Sequence, residues 1–166
     1  MQHPRVIDGF EFAAAGGRLG GDWPVAGFPR LNDVLAGSRG TLRYELQGVP
    51  EHQGRRALRL RVEGGLELAC QRCLAALEYP LRIDALLLLA ATQAEIDAEP
   101  LAAEGPERIV GEREMRVHDL IEDEVLLALP IAPRHERCAA QPAAGAGQRQ
   151  ASPFAGLRGM LGGSKH

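Results

Sequence analysis

The sequence predicts an α+β fold: an antiparallel, barrel-like β-sheet meander with a few helices, the main one over 119–129, and a flexible C-terminal tail. Three observations carry this. Apolar and polar residues alternate through Thr41–Val49 and Arg55–Glu63, as in half-buried strands. Gly- and Pro-bearing turn segments separate the alternating runs. Residues 119–129 carry apolar side chains at helical spacing and are stopped by Pro130. The chain has 166 residues, 45% hydrophobic and 25% charged, which suits one globular domain with appendages. Aromatics make up only 4%, so aliphatic side chains must fill the core.

Taken in order, residues 1–40 read as a strand/helix segment in which Pro29–Leu35 is a short helix, preceded by Trp23 and Phe28. Thr41–Val49 is a strand with Leu42, Tyr44 and Leu46 on one side and Arg43, Glu45 and Gln47 on the other. Gly48–Gly54 is turn chemistry, Arg55–Glu63 alternates again, and Gly64-Gly65 reads as a second hairpin turn. Leu66–Cys70 and Leu77–Leu89 complete the meander over 41–89, the last with Leu77, Tyr79, Leu81, Ile83, Ala85 and Leu87 on one face. Residues 94–116 form an acidic loop with a short strand at Arg108–Val110.

In the helix at 119–129, Asp119 is the expected cap, with Glu122 three residues on. Leu120, Ile121, Val125 and Ala128 form its buried stripe, while Glu122 and Asp123 face water. The Ala/Gly/Gln-rich stretch 139–151 reads as a linker after a single domain over 1–138. Residues 152–166 form a tail motif with Phe154, Leu157 and Met160 at helical spacing, Ser152 and Pro153 at its start.

Charge narrows the function. The net charge of −3 argues against a broad counterion-driven nucleic-acid binder. Its distribution is uneven: residues 95–124 hold 11 acids against Arg108, Arg113 and Arg116, while 134–166 carry five basic groups against Glu136. That describes an acidic body with a basic tail. No secretory signal pattern or bilayer-length apolar run is present, so a cytoplasmic chain with reduced cysteines is expected. No phosphate-cradling loop, dinucleotide fingerprint or Ser/His/acid set appears. His52 and His118 read as isolated surface groups, and Glu122-Asp123-Glu124 as a solvated face.

Two groups could carry chemistry. Cys70-Gln-Arg-Cys73 has the spacing that lets two sulfurs reach one tetrahedral ion, and His135-Glu-Arg-Cys138 could supply the other half. Together they make a complete structural zinc set, with 61 residues between Cys73 and His135. Two other readings stay open: small turn and core thiols without metal, and a thiol-dependent enzyme, redox or nucleolytic, using the Cys pair. Against the enzyme, the pair lies between two strands and not at a helix N-terminus. The second group is basic: Arg55, Arg56, Arg59, Arg61 and Arg72 could grip RNA phosphates or a partner's acids. A solvated strand face explains these arginines as well.

Three segments together resemble one family. LELACQRCLAALEYPL (66–81) is similar to a strand–CxRC–strand block. VHDLIEDEVLLALPIAPRHERC (117–138) is similar to an acidic-hydrophobic helix followed by a Cys/His segment. SPFAGLRGML (152–161) is similar to a Pro-Phe C-terminal signature. All three belong to the bacterial YceD family, the large ribosomal RNA subunit accumulation proteins. The resemblance implies a non-enzymatic accessory factor in ribosome biogenesis, needed for 23S rRNA synthesis, processing or accumulation. It implies binding to an rRNA precursor or a large-subunit ribosomal protein, or a chaperone-like hold on such a protein. Many relatives look four-cysteine-like; here His135 stands at one of those positions. The tail residues Phe154, Leu157 and Arg158 join the arginines above as candidate RNA or partner contacts.

Overall fold

A computed structural model describes residues 5–99 and 105–138. Contacts divide the chain into two compact units, Met1–Glu136 and Arg137–His166. The first is described below; of the second, only Arg137 and Cys138 are described. The expected linker at 139–151 and tail motif at 152–166 lie outside the described residues.

The meander is built from three long strands: β4 (Thr41–His52), β5 (Arg55–Ala69) and β6 (Ala76–Ala90). They are numbered after β1 (Val6–Ile7), β2 (Arg18–Pro24) and β3 (Leu35–Gly37). The period-two pattern explains why they form. Leu42, Tyr44 and Leu46 on β4, Leu58, Leu60 and Val62 on β5, and Leu81, Ile83 and Leu87 on β6 are all buried. Each would be thrown to solvent by a one-residue slip in register.

The first hairpin turns at Gln53-Gly54, where φ is +53° and +80°. Left-handed values at both central positions suit a tight right-twisted hairpin. The Glu51 carboxylate accepts the Gly54 N–H at 3.1 Å. β4 therefore runs three residues beyond the expected Val49, with a register shift between Val49 and His52.

Gly64-Gly65 is not a turn. Both lie inside β5, Gly64 opposite Leu42 on one side and Leu81 on the other. A Cβ at Gly64 would meet Leu42 Cδ2 at 2.6 Å and the Thr41 carbonyl at 2.8 Å. The glycine permits close strand approach. The expected strand Leu66–Cys70 is thus the second half of β5, which ends at Ala69, and not a separate strand.

The strand order is β2-β4-β5-β6-β7, with β7 spanning Glu107–Val110 and β3 also pairing β5. Among the described strands only β6–β7 is a parallel pair. The sheet is open, which corrects the barrel-like expectation: β2 and β7 end the row and do not pair with each other. A separate two-stranded sheet joins β1 to β8 (Met115–Arg116).

Among the described residues four α-helices flank the strands: α1 (Gly9–Ala14), α2 (Pro29–Asn32), α3 (Gln93–Ala98) and α4 (Val117–Ala128). Asp8 caps α1 by accepting the Glu11 N–H at 2.9 Å. α3 interrupts the expected acidic loop because Thr92 and Glu95 start it: the Thr92 hydroxyl accepts the Glu95 N–H, and the Glu95 carboxylate accepts the Ala91 N–H.

α4 begins two residues before the expected start, and its N-cap is Arg116 without a side-chain cap. Asp119 therefore lies in the first turn and does not cap it. Val117, Leu120, Ile121 and Val125 are buried, but Ala128 is exposed.

Glu122 and Glu124, expected on a solvated face, are buried, and His118, expected as an isolated surface group, is half-buried. Glu122 is 3% exposed. Its Oε1 accepts the Arg30 N–H at 2.7 Å and the Leu31 N–H at 3.2 Å, while Oε2 pairs with Arg30 Nε at 2.9 Å. One carboxylate thus satisfies the otherwise orphaned N–H groups at the start of α2. His118 stacks on Phe28 at 4.5 Å and meets Trp23 edge-on at 4.8 Å. Its Nε2 faces the Gly27 carbonyl at 2.9 Å. Asp123 is exposed, as expected.

Candidate metal centre

The Cys-x-x-Cys pair falls in the connection between β5 and β6, whose last paired residues are Ala69 and Ala76. The loop folds back on itself. The Cys70 N–H donates to the Ala75 carbonyl at 3.0 Å, and the Leu74 N–H donates to the Cys70 carbonyl at 2.8 Å. Leu74 takes φ +61°, a left-handed conformation that costs a non-glycine residue of order 1–3 kcal/mol. That turn keeps both sulfurs on the same side of the loop.

The other half arrives with the segment after α4. Pro130 stops the helix, and the Pro133 carbonyl accepts the Gln71 N–H at 2.8 Å. This bond fastens the segment to the hairpin loop. His135 then lies between Cys73 and β6: its Nε2 meets the Ala76 carbonyl at 3.0 Å and its Nδ1 meets the Cys73 sulfur at 3.4 Å. A carbonyl can only accept, so Nε2 carries the proton. Nδ1 is left with its lone pair toward the thiol.

Cys70 is fully buried, while Cys73 and His135 are half-buried. One ligand atom from each of Cys70, Cys73 and His135 lies within 4.8 Å of the others, while Cys138 belongs to the second unit. The main-chain N–H of Cys73 holds the Cys70 thiol down at about 5. Burial opposes it, and the N–H groups of His135 and Arg72 add to it. N–H groups aimed at a sulfur favour the thiolate, the form that ligates metal. The donor set of three thiols and one imidazole fits zinc or another thiophilic ion better than calcium or magnesium, which prefer oxygen. Cys70 and Cys73 are thus brought together with His135, and a group of this composition can hold a metal ion.

The expected basic group is not assembled in the same way. Arg72 lies past one end of β5 and Arg55 at the other, so they do not form one patch. Arg55 is paired with Glu99 and lies 3.8 Å from Glu95. Arg59 and Arg61 both engage Asp84, at 2.7 and 3.2 Å. Asp84 is held down at about 2, chiefly by its hydrogen bond to Arg59.

Arg59 and Arg61 belong to an alternating lattice on the solvent face of the sheet. Asp22, Arg43, Glu63 and Arg82 stand opposite one another across four strands. Arg43 pairs with Asp22 at 3.2 Å and Arg82 with Glu63 at 3.5 Å. Arg43, Arg59, Arg61 and Arg82 are each matched by a carboxylate of the same face. Arg56 is exposed at the hairpin end. Phe154, Leu157 and Arg158 lie outside the described residues.

The acids that sequence reasoning left as an undifferentiated run divide by location. Glu122 is capped into α2, Glu95 and Glu99 hold Arg55, and Glu112 and Glu114 are exposed. No helix among the described residues is long and apolar enough to cross a membrane.

Residues 58–161, more than half of the chain, match the family model described as Large ribosomal RNA subunit accumulation protein YceD. No curated protein and no solved structure matches the chain. The Cys-x-x-Cys loop, β6, α4 and the His/Cys segment all fall within the matched stretch, and the chain belongs to the YceD family of large ribosomal RNA subunit accumulation proteins.

Proposed function

We propose that the protein is a non-catalytic accessory factor in biogenesis of the large ribosomal subunit, required for synthesis, processing or accumulation of 23S rRNA. It acts by binding an rRNA precursor or a large-subunit ribosomal protein. Family membership over residues 58–161 is the observation that carries this reading. The body is a recognition platform stiffened by one zinc ion on Cys70, Cys73, His135 and Cys138. Bound there, zinc would cross-link the hairpin loop to the segment after α4, and no bond-breaking chemistry is asked of it.

The chain's own residues do the rest. The Gln71–Pro133 hydrogen bond and the His135–Ala76 contact orient the two halves. Cys70 is withdrawn from solvent, where it serves as a ligand and not as a nucleophile. A thiol enzyme has less support, because its attacking sulfur needs access.

The test has two parts. In a strain lacking the gene, full-length protein should restore the ratio of 23S to 16S rRNA; failure to restore it overturns the ribosomal role. Protein purified without added metal or chelator should carry one zinc per chain by elemental analysis. Cys70→Ser/Cys73→Ser should lose the metal and unfold at lower temperature. A metal-free, equally stable protein that turns over a disulfide or RNA substrate would favour the enzyme instead.

A further inference from the structure

β7 is a short strand at the end of the sheet, and among described strands it pairs with β6 alone. In a parallel pair, alternate residues direct their N–H and C=O groups away from the partner strand. Gly111 donates to the Ala90 carbonyl, which sets the alternation and turns the main chain of Val110 outward. Beside this edge runs an open groove of about 330 Å³. Its apolar floor is Ile109, Met115 and Leu120. Its rim carries Glu112, Glu114, Asp119 and Asp123, against Arg116 among the lining residues.

These carboxylates differ in availability. Asp123 is drawn to Arg30 at 2.6 Å and Asp119 lies 3.3 Å from His118. Glu112 and Glu114 are exposed, and neither forms an ion pair with another of the described residues.

We infer that this groove receives an extended, lysine- or arginine-bearing segment of a protein partner, with one apolar side chain on the floor. Three features point the same way. The outward main chain of Val110 offers pairing to another strand, the mode by which peptides extend a sheet. The floor gives alternate side chains something apolar to bury. The rim selects positive charge and repels phosphate. A nucleic acid is therefore the wrong occupant here, and a basic protein segment the right one. This deepens the proposed function by naming the kind of partner, and it rests on reading the chain as a recognition body. The zinc ion is not required by it.

The probe is a fluorescein-labelled peptide of about ten residues that alternates Lys or Arg with Leu or Val, read by anisotropy with the full chain. Wild type should bind it saturably, and Glu112→Lys/Glu114→Lys should weaken binding about tenfold. Glu112→Gln/Glu114→Gln should give a smaller loss in the same direction. Both side chains are exposed, so thermal unfolding should be unchanged, and the neutral pair serves if the charge-reversed pair misfolds.

Glu45→Lys/Glu78→Lys changes net charge equally on the sheet's solvent face and should leave binding intact. Absence of saturable binding, or an equal loss in that control, overturns the inference. So does a single-stranded RNA of about 20 nucleotides that displaces the peptide from wild type. The assay reads purified protein, so its failure leaves the 23S rRNA phenotype standing as a separate result.

Discussion

Glu124 gives a prediction whose sign is opposite to that of most carboxylates. It is 7% exposed, and burial pushes its carboxyl up from 4.5 to about 7, with the charges of Glu107 and Asp123 adding to the effect. Between pH 4.5 and 7 the folded state binds more protons than the unfolded chain, so stability falls as pH rises through that window. At about 1.4 kcal/mol per pH unit the full gap is worth about 3 kcal/mol. Solvent reaching the carboxylate lowers this to about 2 kcal/mol.

Glu124→Gln removes the ionisation and keeps the shape. The variant should match wild type near pH 4 and be about 2 kcal/mol more stable at pH 8. For a body of this size that is about 6–10 °C in Tm. Urea titrations at pH 4, 5, 6, 7 and 8 measure the difference directly. Glu107→Gln should recover a smaller part of the same gain. A Glu124→Gln difference that is flat with pH, or that grows on acidification, would refute the reasoning.

Two further substitutions test the packing. Glu122→Ala should cost about 3 kcal/mol, because it leaves two N–H groups of α2 without their acceptor and takes from the Arg30 guanidinium one of its two carboxylate partners; Glu122→Gln should cost less, since its carbonyl can still accept from both N–H groups. Gly64→Ala should destabilise by about 1–3 kcal/mol through its clash with Leu42 and Thr41, whereas Gly65→Ala, with nothing within 4 Å, should be neutral or slightly stabilising; equal effects in urea would refute the close-approach account.

What could be read from the sequence depended on the range of the cause. The strand faces of β4, β5 and β6 were legible because side-chain alternation is a local property of a pleated chain. β2 was not, because Gly20 and Gly21 blank the alternation between Leu19 and Trp23. The Gly64-Gly65 pair was misread for the converse reason. Its local chemistry is that of a turn, and only the approach of Thr41 and Leu42 from another strand reveals its use. The Cys/His group was legible across 61 residues because so few residue types ligate a soft metal. Ligand identity reduced a long-range question to a choice among three cysteines and five histidines.

Charge counting fails at the same boundary. The run 95–124 carries net −8 by sequence, yet its members meet different fates set by partners far along the chain. Glu122 turns inward to Arg30 and Leu31. Glu95 and Glu99 face Arg55, and Glu99 also meets Arg108 at 3.1 Å. The arginines suffer the mirror fate, with Arg59 and Arg61 drawn to Asp84. A partner does not meet the summed charge of either group. It meets what internal pairing leaves over, and among the described acids of that run Glu112 and Glu114 remain on the rim of an apolar groove. The surface that intramolecular pairing spares, not the surface richest in charge, is where recognition by this fold should be sought.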